Sequence, residues 1–296
     1  MVWPFEQPQR SAATGPRAQA RPTWSDPALL IIVVLAAAVR LPGCFSEFWL
    51  DEIWTQSFAT QISSPAAIFT EGHHSNNHPL NTLVFYLIGN REHWVVYRIH
   101  SLVAGIGAVI ACWLITRRDG RLEAIISSCL MAGSYLMIHF SSEARGYSLV
   151  IFFALATFFA AHRFVEDGRW HQAAAVWVCA CLGFLSHLMY LQVFVAIGVW
   201  SFVHLLRSCV NKRDLVARCA QVYGLPILFL SCYYTFFIRH LEIGGGPRSW
   251  PIDVLTRALS YAGGGPAAGP GATVVSVFVV GLSLWATAWL WRQRRR

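Results

Sequence analysis

The sequence predicts an all-α polytopic membrane protein, with about eight transmembrane helices and interfacial helices in a long first extracytoplasmic loop. Of its 296 residues, 55% are hydrophobic and only 13% charged, against about 25% charged in an average soluble protein. A mean hydropathy of +0.47 with 13 Trp and 19 Phe is more apolar surface than a soluble fold of this size hides. Apolar runs recur along the whole chain. The same figures exclude a disordered chain, a disulfide scaffold, a coiled coil and a soluble nucleic-acid binder, so no nucleic-acid partner is expected.

Residues 1–23 are rich in Pro, Ala and Arg without a hydrophobic pattern, and read as a flexible cytoplasmic leader. Residues 24–296 read as one membrane domain. The first apolar run, 28–41, is short of the ~20 residues that cross about 30 Å of hydrocarbon, and Trp24 and a snorkelling Arg40 are expected to extend it. Leu41-Pro42-Gly43-Cys44 faintly resembles a lipoprotein processing box, but Arg40 and the many later runs favour a retained span. The first outer loop, about 42–93, contains an apolar run at 79–89 that is expected to lie along the interface. The remaining spans fall at 94–115, 124–140, 147–161, 173–186, 188–206, 222–238 and 272–291. The last outer loop, about 239–271, carries Gly244-Gly245-Gly246-Pro247 and Gly263-Gly264-Gly265-Pro266. These lack the strand and the Lys-Ser/Thr ending of a phosphate-binding loop and read as a mobile segment. The eight cysteines lie mostly in apolar runs and read as small buried hydrophobes.

Charge sets the direction of the spans. With 79–89 at the interface, 16 of the 23 Lys and Arg fall in the leader, the turns near 117–121, 163–169 and 207–218, and the tail. That asymmetry predicts both termini in the cytoplasm and explains the net charge of +8 through cytoplasmic loops facing anionic lipid. The opposite face then gathers His73, His74, His78, His93, His100, His139, His187 and His240 with Glu47, Asp51, Glu52, Glu71, Glu92, Glu143 and Arg145.

Three constellations there carry candidate chemistry. Asp51 and Glu52 follow Phe48, Trp49 and Leu50; adjacent side chains on a helix diverge by about 100°, so the two carboxylates are not expected to share a ligand. One can act as a general base near apolar walls while the other caps a helix, or Asp51 simply starts a helix at its positive end. Glu71-Gly72-His73-His74-Ser75-Asn76-Asn77-His78-Pro79-Leu80 has three histidines, but their spacing fits no standard zinc motif. The loop reads as a contact for lipid phosphate or sugar hydroxyls, or as a wet loop. No metal ligands are assigned, and a divalent cation is left open as a cofactor. Ser141-Ser142-Glu143-Ala144-Arg145-Gly146-Tyr147 places an acid and a guanidinium at the mouth of apolar helices, where they must be paired, hydrated or functional. Arginine's planar fork suits a phosphate; the alternative is a bridge from Arg145 to Glu143 or Asp51 that only ties helices together. His187 stands at another outer turn.

Together these residues resemble the polytopic GT-C glycosyltransferases, in particular the bacterial dolichyl-phosphate-mannose-protein mannosyltransferase-like group with the ArnT-like and RgtA/B/C/D-like proteins. The resemblance covers roughly residues 25–205. It rests on Trp49-Leu50-Asp51-Glu52, on His78-Pro79-Leu80 before the interfacial run, and on Glu143-Ala144-Arg145 with Tyr147. It implies transfer of a sugar from a polyprenyl-phosphate carrier to an acceptor at the outer face of the inner (plasma) membrane. In that reading Asp51 takes the acceptor's proton, Glu52 supports it, and Arg145 with His78 stabilises the departing phosphate. Glu143, Tyr147, His74 and His187 are expected to support the site.

The chain departs from that group in its length and in reading His-Asn-Asn-His-Pro where His-Pro-Pro is common. The resemblance therefore leaves open a minimal enzyme, one that needs a partner subunit, or a relative that binds the carrier lipid without turnover. A non-catalytic polyprenyl-lipid-binding or assembly subunit of a cell-envelope complex is the main rival reading. A transporter would predict internal repeats, and a metal-dependent hydrolase would use His73, His74 and His78.

Overall fold

The computed structural model describes residues 26–209, 211–242 and 249–294, and the predicted leader and the Gly244–Pro247 stretch lie outside them. The helices in chain order are α1 (Pro27–Arg40), α2 (Leu50–Gln61), α3 (Ala67–Thr70), α4 (Pro79–Ile88), α5 (Val95–Thr116), α6 (Arg121–Gly133), α7 (Tyr135–Ser141), α8 (Gly146–Asp167), α9 (Trp170–Ser186), α10 (Tyr190–Ser208), α11 (Lys212–Phe236), α12 (Pro251–Ala262) and α13 (Pro270–Arg294). Among the described residues the only extended pairing is an isolated bridge, His74 to Glu242.

Local chemistry sets several boundaries. The Asp26 side chain accepts the amide of Ala28 at 3.0 Å, with Pro27 at the first helical position of α1. Asn211 caps α11 through the amide of Asp214 at 2.8 Å. Gly168, at φ +67°, ends α8 in the left-handed conformation that glycine adopts without a side-chain penalty.

Among the described residues, six helices are long and apolar enough to cross a membrane, or seven if α6 and α7 form one bent span. Each of the eight predicted spans is helical, but α9 has 17 residues, a length of ~26 Å, and falls below that criterion. The 79–89 run forms α4, ten residues or ~15 Å long, too short to cross. Pro79, Asn81, Thr82 and Phe85 of α4 are buried, against α2, α5 and α9.

At the centre, α8 packs along α5 and α9; α1 and α6 flank α5, and α10 and α11 complete the far side. One apolar core joins α8 to α11 through Phe164, Val176, Phe184, Phe194 and Tyr223, and a second joins α1, α5 and α6 through Ile32, Val109, Trp113 and Ala124. The perimeter is apolar: Leu30, Val34, Val103, Leu130, Phe236 and Trp285 are all more than half exposed, as side chains facing hydrocarbon should be. The hairpin of α12 and α13 packs mainly on itself. The turn between them is held by Ser260, whose hydroxyl donates to the Pro266 carbonyl at 2.8 Å, so this part of the expected mobile loop is ordered helix and turn.

Three expectations are corrected. Arg40 does not snorkel: it is fully buried and donates to the carbonyls of Ala36 at 3.0 Å, Ala132 at 2.9 Å and Met131 at 3.2 Å. The predicted continuous span 124–140 is instead two helices bent by 60°, because Ser134 is extended at ψ 124° and Arg40 takes up the carbonyls that the end of α6 leaves open. The cysteine reading is also too simple, since all eight thiols are free but only Cys44 is buried, and Cys129 and Cys232 are exposed on the apolar perimeter.

The polar ends of the helices sort as the charge pattern predicts. Arg121 pairs with Asp26 at 2.9 Å, Arg118 pairs with Glu166, and Gly168 lies against the Arg218 guanidinium. The α1 start, the α5–α6 and α8–α9 turns and the α11 start thus share one end of the bundle. The loop 42–93, residues 142–145 and His187 share the other.

Candidate active site

The two adjacent carboxylates at the start of α2 point to different partners. Glu52 is fully buried, and all its acceptor capacity is used. Its Oε1 accepts from Arg98 Nε at 2.9 Å and the Ala144 amide at 2.6 Å, and its Oε2 accepts from Arg98 Nη2 at 2.7 Å and the Trp49 amide at 2.8 Å. The remaining Arg98 donors reach the Ser46 carbonyl at 2.6 Å and the Glu47 carbonyl at 2.8 Å, and the guanidinium lies over the Phe48 ring at 5.2 Å. One buried ion pair therefore ties α5 to the 43–47 turn, the start of α2 and the 142–145 loop. Glu52 has no free lone pair for a substrate, so it positions its neighbours rather than touching the chemistry.

Asp51, one residue earlier, stands at the surface. It is 33% exposed and pairs at 2.5 Å with Arg145, which is 22% exposed. Arg145 also faces Glu143 at 3.7 Å and lies over the Tyr147 ring at 4.7 Å. The Arg145 backbone is fixed from behind: Asn81 of α4 donates to the Ala144 carbonyl at 3.0 Å, Ser101 of α5 to the Arg145 carbonyl at 3.4 Å, and Asn81 also meets His100 at 2.8 Å. Gly146 completes the hold. A Cβ there would stand 2.0 Å from the Ser186 carbonyl oxygen and 3.4 Å from the His78 Cβ, so only glycine lets α8 start this close to the end of α9.

Beside Arg145, His78 and His187 stack with ring centroids 4.4 Å apart, and Tyr147 lies 4.9 Å from His187. Burial, followed by the charges of its neighbours His187 and Arg145, lowers His78 to about 3. Burial and the Arg145 charge lower His187 to about 4, so both rings are neutral at physiological pH. His187 Nδ1 accepts the Met189 amide at 3.1 Å, which leaves the proton on Nε2 as a donor. Glu143, 5% exposed and 3.2 Å from His139, is raised above the ordinary carboxylate range by burial, against the opposing charges of His139 and Arg145.

Of the predicted residues, Asp51, Glu143, Arg145, Tyr147, His78 and His187 converge, with Glu52 beneath them. His139 joins them through Glu143, whereas His74 and His73 face other aromatic neighbours. His74 stands edge-on to Phe58, 5.5 Å away, and His73 faces Phe237 and His240 at 6.2 and 5.6 Å. Among the described residues no three His, Cys, Asp or Glu side chains converge in a metal-holding group. Both predicted Arg145 bridges form, to Asp51 and to Glu143.

Arg98, Asn81 and Gly146 were not singled out in the sequence. Arg98-Ile99-His100 near the start of an apolar run was the available signal, because a charge at that depth needs a partner.

The assembly offers a carboxylate, a guanidinium and neutral imidazole donors at one accessible edge. It can bind a phosphate through Arg145 and accept a proton at Asp51 once that pair opens. Residues 80–236, just over half of the chain, match the dolichyl-phosphate-mannose-protein mannosyltransferase family, a segment that includes Arg98, Glu143, Arg145 and His187 and begins after Asp51 and His78. No curated protein and no solved structure matches the chain.

Proposed function

Because the chain belongs to the dolichyl-phosphate-mannose-protein mannosyltransferase family and is a membrane glycosyltransferase of the GT-C kind, we propose that it moves a sugar from a polyprenyl-phosphate carrier to an acceptor at the extracytoplasmic face. The observation that carries this is the half-buried Asp51–Arg145 pair set on the saturated Glu52–Arg98 pair. A phosphate arriving at Arg145 competes with Asp51 for the guanidinium and frees the carboxylate. The acceptor oxygen then attacks the anomeric carbon, and its proton passes to Asp51. The bond from that carbon to the phosphate oxygen breaks, and the phosphate leaves with the electron pair, held by Arg145 and by N–H donors of His187 and His78. The charge sorting of the turns supports cytoplasmic termini and an extracytoplasmic site in the plasma membrane.

The test is sugar transfer from labelled polyprenyl-phosphate donors in membranes with matched expression of wild type, Asp51→Asn and Arg145→Ala. A loss of ~100-fold or more in Asp51→Asn supports a general base. Retention of activity in that variant sinks it.

The ion pair itself favours a second reading, since Asp51 and Arg145 satisfy each other in the absence of ligand. A subunit that binds the carrier without turnover would show donor binding by the wild type and no transfer from any donor.

A further inference from the structure

A groove of about 550 Å³ opens between α10 and α11. It spans the middle of α10 and the N-terminal part of α11, whose start lies at the end of the bundle opposite the Asp51–Arg145 pair. α10 begins beside His187 and ends at Ser208, while α11 begins at Lys212 and ends where Phe237 meets His73. The walls, which include Phe194, Phe202, Leu215 and Ile227, are apolar over ~18 Å of α11. The one hydroxyl at the floor, Tyr223, is hydrogen-bonded to Ser201 and offers nothing to a polar ligand. At Gly198 and Gly224 a Cβ would meet nothing within 4 Å, so both positions face open space in the groove. Such a groove takes hydrocarbon.

The α11 start, just beyond the groove, is cationic. The α11 face that lines the groove runs through Leu215, Val216, Cys219, Ala220 and Tyr223, and one helical turn earlier the same face carries Lys212 and Arg213. Both are exposed, as is Arg207 at the end of α10. The carboxylate in that turn, Asp214, pairs with Arg218 at 3.4 Å. Among the described residues no carboxylate pairs with Lys212, Arg213 or Arg207.

We propose that this groove is a binding site for one anionic phospholipid, with an acyl chain between α10 and α11 and the phosphate at Lys212 and Arg213. Basic pockets between helices at a membrane surface recognise anionic headgroups in this way. Assignment to the cytoplasmic leaflet rests on the orientation proposed above; the site does not.

The test is native mass spectrometry of the detergent-purified full chain titrated with phosphatidylglycerol or phosphatidylcholine. Wild type is expected to retain one phosphatidylglycerol that equimolar phosphatidylcholine does not displace. Lys212→Ala/Arg213→Ala should weaken that retention roughly tenfold or more and remove the headgroup preference. Gly198→Phe, which fills the groove, should lose the bound lipid altogether. Equal retention of both lipids by wild type, or unchanged retention in the Lys212/Arg213 variant, overturns the proposal. So does displacement by polyprenyl phosphate at far lower concentration, which assigns the groove to the carrier, or a Gly198→Phe variant that changes only oligomeric state, which assigns it to a second copy. The surface variant keeps the test decisive if Gly198→Phe does not fold. The readout is lipid retention, so failure of sugar transfer by the wild type leaves this outcome untouched.

Discussion

Glu52 and Arg98 are joined by two hydrogen bonds, 2.9 and 2.7 Å, and neither side chain reaches solvent. Removing one member strands a buried charge, whereas replacing both with apolar residues does not. Arg98→Met alone is expected to cost ~3–5 kcal/mol, read as a large drop in the unfolding temperature of purified protein. Glu52→Leu/Arg98→Met together should cost less than the sum of the single changes. Additivity would show that the pair is not coupled.

Gly146→Ala forces a methyl group into the Ser186 carbonyl. Backbone cannot yield as a flexible side chain does, so the substitution should cost ~1–3 kcal/mol and displace Arg145, lowering transfer activity. Gly198→Ala, with open space at its Cβ, should leave stability near wild type. Comparing the two melting temperatures checks the packing argument.

Arg40→Met removes the donors that hold the Ala132 and Met131 carbonyls at the break between α6 and α7. The expected loss is on the order of 3 kcal/mol, because hydrogen bonds from charged donors are among the stronger ones and the carbonyls lose their partner. Arg40→Lys keeps the charge but not the fork and should recover only part of the stability. Thermal unfolding of both variants measures it.

His78 and His187 are held neutral in the fold, at about 3 and about 4, while the unfolded chain protonates them near 6.5. The unfolded state therefore binds more protons below that pH, and stability falls as pH drops from about 6.5 toward about 4. Glu143 acts in the opposite sense, since its raised value favours the fold while it stays protonated. His187→Phe keeps a ring in the stack and should show a smaller fall in melting temperature between pH 7 and pH 5 than wild type. An equal fall would remove His187 as a source of the acid sensitivity.

The membrane class, the helical runs and the sorting of charge between the two ends were legible in the sequence, because each depends on residue type and spacing alone. Asp51, His78, Glu143 and Arg145 stood out for the same reason: polar groups at the mouths of apolar runs are conspicuous. The partners were not legible. Nothing local shows that Glu52 turns inward to Arg98, 46 residues away, while Asp51 turns outward to Arg145. Nor does hydropathy show that Arg40 breaks the 124–140 run by reaching carbonyls 91 and 92 residues away. The sequence by itself determined that charges had to be satisfied inside an apolar bundle. Only the tertiary structure decided which donor met which acceptor, since a hydrogen bond depends on ångström distances that pattern and composition do not encode.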